Sequence, residues 1–318
     1  CRGRGPGLDL MHRRLADAEG RELSAQLRGA GIALDLGAVR VHVRSPLALL
    51  AERIAQVYAE FPLLLPGEFC DIHIQVVPGS SLRRWLRPQA RFRVDGVEPF
   101  EPFPRDHALP LMEWGANFSI AQRLNQHLLL HAGVVAAGDR AVILAATPGS
   151  GKSTLTAALA LSGFRLFSDE FGVVRRHDLQ LLPLLKPVAL KNESIDVIRR
   201  FVAHGRGAPI GPIHPRTRKG SVAHLAPDRA SVDARKRPAI PTIVVFPSYQ
   251  PDAPCSLRPE EPLRAFQRLA FNSFNYSLLG PDGFRAVAAL LDRCPAYALS
   301  YSRLDEAVDA IGKLLDGT

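Results

Sequence analysis

Apolar and polar positions alternate from Cys70 to Val77, with Ile72, Ile74 and Val76 set against Asp71, His73 and Gln75. A period of two predicts a half-buried strand. Ile32 to Val43 also reads as strand, Ser45-Pro46 as the N-cap and N1 pair of a helix through Glu60, and Arg91 to Val97 as a further strand. Together these predict a small α+β unit over residues 1–105. The prolines at 99, 102, 104 and 110 read as a linker, and Leu111 to Gln126 as a helix.

The rest of the chain, 106–318, alternates strand and helix signals. His131 to Val135 and Ala141 to Ala145 are strand-like, and Gly138-Asp139 between them reads as a tight hairpin turn. Gly151 to about Ser162 is helical and stops at Gly163, a natural helix-ending residue. Phe164 to Glu170 reads as a strand ending in two carboxylates. Helices are expected over 193–202, 263–276, 282–293 and 304–315, strands over 221–225, 242–246 and 296–301, and a basic loop over 209–219. This interleaving predicts a mixed α/β fold. A hairpin before the strand at 141–145 departs from the helical crossover that parallel α/β proteins use there.

Composition narrows the class. With 318 residues, 47% hydrophobic and 22% charged, the chain suits about two globular domains with ample core. No apolar run reaches the ~18 residues of a membrane span. Cys1 to Gly7 has charge but no apolar stretch of the secretory kind, and residues 1–10, ahead of Met11, read as a disordered tail. Cys1, Cys70, Cys255 and Cys294 lie far apart, which suggests neither a disulfide framework nor a zinc site and fits a reducing cytoplasm. Ten Lys/Arg against Asp228 and Asp233 fall between Arg199 and Arg237, within a net charge of +9. Phe201 is the one aromatic among them, so base stacking has little to work with and nucleic acid is not expected. Trp85 among Arg83, Arg84 and Arg87 reads either as a binding surface or as a half-buried edge residue.

The chemistry concentrates at 146–154, Ala146-Thr147-Pro148-Gly149-Ser150-Gly151-Lys152-Ser153-Thr154. The spacing is that of G-x-x-x-x-G-K-[ST] with Ala146 in the first glycine position. Small residues let backbone N–H groups turn onto phosphate oxygens, Lys152 adds charge, and Ser153 offers a hydroxyl to Mg²⁺. ATP with Mg²⁺ is the expected ligand. Asp169, seventeen residues after Lys152, and Glu170 would face the same phosphates after one helix and one returning strand. Such a pair suits a proton acceptor and a metal ligand, or else a solvated strand end. His131 is as readily structural as functional. Arg216, Arg218 and Lys219 are candidates for holding an acidic or phosphorylated substrate, with Lys186 and Lys191 weaker ones.

These residues resemble a known family. His131-Ala132-Gly133, the hairpin, Pro148 to Ser153 and Ser168-Asp169-Glu170 look like the catalytic domain of HPr serine kinase/phosphorylase. Lys191 to Ile195 and Lys219 to Leu225 are closer to its relatives, the HprK-related kinase A group, which is similar to lasso-peptide kinases. The likeness covers roughly residues 125–300. It implies a phosphoenolpyruvate-carboxykinase-like fold and ATP-dependent phosphorylation of a serine on a peptide or small protein. By position it makes Asp169 the proton acceptor, Glu170 a Mg²⁺ ligand, and Lys152 with Ser153 the phosphate and metal grips. HPr kinases usually carry two aspartates where this chain has Asp169-Glu170. A homo-oligomer is compatible with this reading. A nucleotide-binding regulatory or assembly protein, or a small-molecule kinase, would share the same loop.

Overall fold

A computed structural model describes residues 13–64, 67–79, 87–147, 149–202 and 209–317. Residues 1–10, Arg83, Arg84, Trp85 and Pro148, all singled out in the sequence, lie outside the described residues.

The N-terminal part contains α1 (Gly20–Arg28), β1 (Ile32–Asp35), β2 (Arg40–Arg44), α2 (Ala48–Val57), β3 (Ile72–Pro78), β4 (Gln89–Val94) and β5 (Phe103–Pro104). The strands form one sheet in sequence order, parallel between β2 and β3 and antiparallel elsewhere. Ile72, Ile74 and Val76 point into the core, as their alternation requires.

The strand expected over 32–43 is instead two strands. Gly37 turns the chain at φ +101°, a conformation glycine adopts without strain. The helix expected from Ser45 starts at Ala48. Ser45 Oγ donates to the Val76 carbonyl (2.6 Å) and accepts from Leu47 N–H, which ties this residue to β3. The expected linker carries β5 on the edge of β4. It runs into α3 (Ala108–Arg123), with Pro110 in the first turn, where its missing N–H has no helical partner to lose.

The second part is built on the β6 (Leu128–Ala137) and β7 (Arg140–Ala145) hairpin, with Ala137 opposite Arg140. Beyond β7 the order is β14 (Ile240–Tyr249), β16 (Ala296–Tyr301) and β15 (Ser256–Pro259), with β7, β14 and β16 mutually parallel. On the far side of β6, β8 (Arg165–Ser168) and β9 (Phe171–Val174) pair with successive stretches of the same strand, and β10 (Leu181–Leu182) follows. The strand expected to run to Glu170 therefore ends at Ser168, and Asp169-Glu170 is the bend between two strands. A third sheet, β11 (Val188–Lys191), β13 (Gly220–Leu225) and β12 (His214–Thr217), converts the end of the expected basic loop into a hairpin.

The helices of this part are α4 (Lys152–Leu161), α5 (Glu193–Val202), α6 (Arg229–Asp233), α7 (Pro262–Phe271), α8 (Tyr276–Leu279), α9 (Pro281–Arg293) and α10 (Leu304–Asp316). The helix expected over 263–276 breaks after Phe271, because His131 N–H takes the Asn272 carbonyl and Phe274 N–H bonds Leu129. The chain is a mixed α/β protein. Among the described residues no helix is long and apolar enough to cross a membrane.

The two parts are stitched together. Ala38 N–H donates to the Pro183 carbonyl (2.8 Å) and Leu185 N–H to the Leu36 carbonyl (2.8 Å). A side chain at Gly37 would meet the Pro183 and Arg235 carbonyls. Beside this turn Asp35, 1% exposed, holds Lys236 at 2.9 Å and Arg235 at 3.5 Å. Part of the basic excess between 199 and 237 is thus neutralised across this junction.

Helix α4 lies against β6 at Gly133, where a methyl group would collide with the Thr156 hydroxyl. That hydroxyl donates to the Lys152 carbonyl (2.9 Å) and is fully buried, so turning it away leaves a buried donor unpaired. Gly133→Ala is expected to destabilise the fold by about 1–3 kcal/mol, and Thr156→Ala in the same chain to recover most of that loss. Chemical denaturation of the single and double variants measures this. Strictly additive effects would refute the close approach.

Candidate functional site

Three parallel strands, β7, β14 and β16, bring their carboxyl ends to one edge, the edge where ligands gather in open α/β sheets. The glycine-rich loop leaves β7 there. Ala146, in the place of the pattern's first glycine, is buried in the core, where its methyl is accommodated. Gly149 and Gly151 have φ of +89° and +86°, strained for any other residue. Gly151 also has no room for a side chain, since a Cβ would lie 2.5 Å from Tyr301 Oη and 3.1 Å from Tyr249 Cβ. Both tyrosines brace the loop: Tyr249 N–H donates to the Ser150 carbonyl (2.9 Å) and Tyr301 Oη to the Gly151 carbonyl (3.3 Å). The first-turn N–H groups of α4 have no carbonyl one turn behind them, and the helix presents its positive end. Thr147, Ser153 and Thr154 flank this opening, Thr147 exposed and the other two half-buried.

Lys152 folds back under the loop. It is 7% exposed, its Nζ donates to the Asp169 backbone carbonyl, and it lies 4.0 Å from Asp169 Oδ1. Asp169, 6% exposed, accepts from Ala189 N–H through Oδ2 (3.3 Å), while Oδ1 is buried with no hydrogen-bond partner. The bend is shaped by Ser168, whose Oγ accepts from both Glu170 N–H and Phe171 N–H. Glu170 turns to the other side, with Oε1 3.5 Å from His131 Nε2. Burial raises the Glu170 pKa, but Lys152, His131, Lys191 and Lys186 outweigh it and hold the carboxyl below its ordinary value. Burial and then Lys152 push His131 below its usual pKa, against the pull of Glu170 and Asp169. At neutral pH the site thus pairs a carboxylate with a neutral imidazole.

Lys152, Asp169, Glu170 and His131, far apart in the chain, are therefore brought together. Arg218 and Lys219 sit at the tip of the β12–β13 hairpin across a cavity of about 380 Å³ whose other side includes Asp169 and Glu170. Arg216 is exposed at φ +55° and does not line that cavity. The hairpin is held by hydrogen bonds. Thr217 Oγ1 donates to the Gly220 carbonyl (2.6 Å) and accepts from Lys219 N–H, and Asn192 Oδ1 takes Ser221 N–H (3.0 Å).

Sequence reading missed the contribution of α3. Glu113 and Asn117, four apart on a mostly apolar helix, both reach Lys186: Glu113 Oε2 lies 2.9 Å from Nζ, and Asn117 Oδ1 accepts from it. Tyr58 Oη donates to Glu113 Oε1 (2.6 Å), completing a buried chain. Two polar residues at helical spacing in an apolar helix were the available signal. Trp114 and Phe118 of the same helix line the cavity, as does Phe274. His224 lines it too, fully buried, with Nδ1 unpartnered.

No model of a known protein family matches this chain, and no curated protein shows significant similarity to it. What the fold and the site define is a class of arrangement: a mixed α/β protein with a glycine-rich strand–loop–helix turn whose lysine meets an acidic bend.

Burial, helped by nearby His214, Lys186 and Lys191, lowers the His224 pKa from 6.5 to about 4 despite Glu113. A depressed pKa means the unfolded chain takes up the proton first, so the neutral imidazole contributes stability that is full above pH 6.5. That contribution, about 3 kcal/mol at about 1.4 kcal/mol per pH unit, is lost as pH falls from 6.5 toward about 4. Urea titrations across this window should show His224→Gln to be less pH-dependent than the wild type. An equal slope for both would exclude this role.

Proposed function

We propose that the protein is an ATP-dependent kinase that transfers the γ-phosphoryl group to a serine hydroxyl on a peptide or small protein. In this reading the 106–318 part is a phosphoenolpyruvate-carboxykinase-like P-loop kinase domain related to HPr kinase. One observation carries it: a buried lysine at the head of α4 lies 4.0 Å from Oδ1 of buried Asp169, the carboxylate oxygen that has no hydrogen-bond partner. Lys152 Nζ spends a hydrogen bond on the Asp169 backbone carbonyl, which leaves that carboxylate oxygen without one.

The residues present fit MgATP. The loop has open N–H groups and a glycine cradle that a Cβ would fill, and Lys152 provides the charge. Ser153 and Glu170 would hold Mg²⁺. Among the described residues no group of three His, Cys, Asp or Glu forms a metal cluster. Mg²⁺ does not require one, because it commonly uses one or two carboxylates with phosphate oxygens and water. When bound, MgATP supplies the phosphoryl group and neutralises its charge.

The chain's own groups do the remaining work. Asp169 Oδ1 takes the proton of the acceptor hydroxyl. Lys152, bonded to the Asp169 carbonyl and 4.0 Å from its carboxylate, holds Asp169 in place. Neutral His131 sets the orientation of Glu170. The products are a phosphate monoester and the nucleoside diphosphate. A small-molecule kinase is a second reading, favoured by the walled cavity beside Asp169, which is the size of a single side chain or a small compound rather than a protein surface.

Asp169→Asn should lower phosphoryl transfer by about 10²–10⁴-fold while ATP affinity stays within about threefold of wild type. Labelled ATP with mass spectrometry of candidate acceptors reads the first, and calorimetry the second. Unchanged transfer would remove Asp169 from the mechanism. Nucleotide binding with no transfer to any acceptor by the wild type would favour a regulatory nucleotide-binding protein.

A further inference from the structure

The cavity beside Asp169 is bounded by both parts of the chain, and no described residue of the 146–154 loop lines it. The acidic bend, Asp169 with Glu170, is what the cavity and the neighbourhood of Lys152 share. Its walls are aromatic: Phe103 comes from β5, Trp114 and Phe118 from α3, Phe171 from β9 and Phe274 from the segment after α7. Phe100 stacks on Trp114 at 4.9 Å and meets Phe118 edge-on at 5.1 Å, so this wall is preorganised.

The cations divide into two kinds. Lys186 is satisfied by Glu113 at 2.9 Å. Lys191, Arg218 and Lys219 have no carboxylate at ion-pair distance among the described residues. Lys219 Nζ lies 5.6 Å from the Trp114 ring centre, and Arg218 Cζ lies 5.0 Å from that of Phe103. Partial burial first and Lys191 second lower the Lys219 pKa against the pull of Glu170, and both lysines line the cavity, so an anion between them would be attracted by both. Asp169 and His224 also line the cavity, and each has one buried atom, Oδ1 and Nδ1, without a hydrogen-bond partner. An aromatic cleft with cations at one side and the Asp169 carboxylate at the other is built for one kind of guest.

We propose that this cavity is the acceptor site and that it selects a hydroxyl-bearing group with an apolar, ring-sized body and an anionic function. The hydroxyl meets Asp169, the body lies against Trp114 and Phe118, and the anion sits between Lys191 and Lys219. Only the role of the hydroxyl rests on the kinase reading; the apolar and anionic contacts stand without it. The group is carried either by a free hydroxy acid or by a peptide.

The test uses Trp114 as reporter in the full chain, with the other tryptophan, Trp85, replaced by phenylalanine. The probes are 3-phenyllactate and a peptide blocked at both ends with serine between phenylalanine and glutamate, each titrated to about 10 mM, beyond a weak millimolar Kd. Saturable change in Trp114 emission by at least one probe is expected. The Kd should rise about tenfold or more in the Lys191→Ala/Lys219→Ala chain, whose side chains are exposed and whose thermal midpoint should not move. The amide of 3-phenyllactate should bind correspondingly more weakly. Saturation by the free acid or by the peptide tells which of the two carries the group.

If neither probe saturates, or if the double variant binds both as well as wild type, the assignment is overturned. ATP affinity measured on the same samples separates this from the kinase reading. Loss of nucleotide binding with probe binding intact would sink the kinase and leave the cavity, and the reverse would sink the cavity alone.

Discussion

An ammonium group buried at the head of a helix must find oxygen, and Lys152 finds it in the backbone carbonyl of Asp169. That contact joins the two ends of the unit formed by α4 and β8, and much of the second part follows from it. For Lys152 to reach the bend, α4 has to lie close on β6, which Gly133 permits by having no side chain against Thr156. For the carbonyl to face inward, β8 must stop at Ser168, whose hydroxyl holds the next two N–H groups. β9 then resumes pairing with the same strand, β6. A glycine, a serine and a lysine thus depend on one another although separated along the chain.

The N-terminal part is the second constraint. It is tied to 183–185 by backbone hydrogen bonds and to Arg235 and Lys236 through buried Asp35. Immediately after that seam comes Lys186, held by Glu113 of α3. A buried pair of this kind contributes little net stability but strongly penalises loss of either partner, so it fixes geometry rather than adding strength. Here the geometry fixed is the placement of Trp114 and Phe118 across from Asp169. The wall that faces the acidic bend is therefore supplied by α3, a helix that carries no motif.

How much of this was legible beforehand varies by residue. The hairpin at Gly138, α4 with its Gly163 stop, α5 and α10 follow from local signals, because turn chemistry and helical periodicity act within a few residues. The association of Lys152 with Asp169 was legible too, since one helix and one strand leave few ways to return. The two strands around Gly37 were not, because what breaks the segment is a carbonyl of Pro183 far along the chain. The bend at Asp169 was missed for a similar reason: β8 and β9 are distinguished by which stretch of β6 they pair with, not by their composition. The cavity was illegible because its aromatic wall and its cations belong to separate sheets. Arg216, Arg218 and Lys219 look alike in sequence, yet the positive φ of Arg216 leaves it outside a cavity that its two neighbours line.

Placing the acid pair on a bend rather than at a strand end has a chemical consequence. At a strand end neighbouring side chains already point to opposite faces; the bend decides what each of them meets. On this bend, successive residues face different partners: Asp169 turns toward Lys152 and the third sheet, Glu170 toward His131. Asp169 keeps one oxygen bonded and one unpartnered, which suits a group that must receive a proton at a defined atom. Glu170, more open and held in its charged form by surrounding cations, suits a group that must stay ionised while it binds charge. The longer side chain of the second acid lets it reach His131 without disturbing the first. Two carboxylates adjacent in sequence are separated in surroundings by the fold, on a bend shaped by the Ser168 hydroxyl.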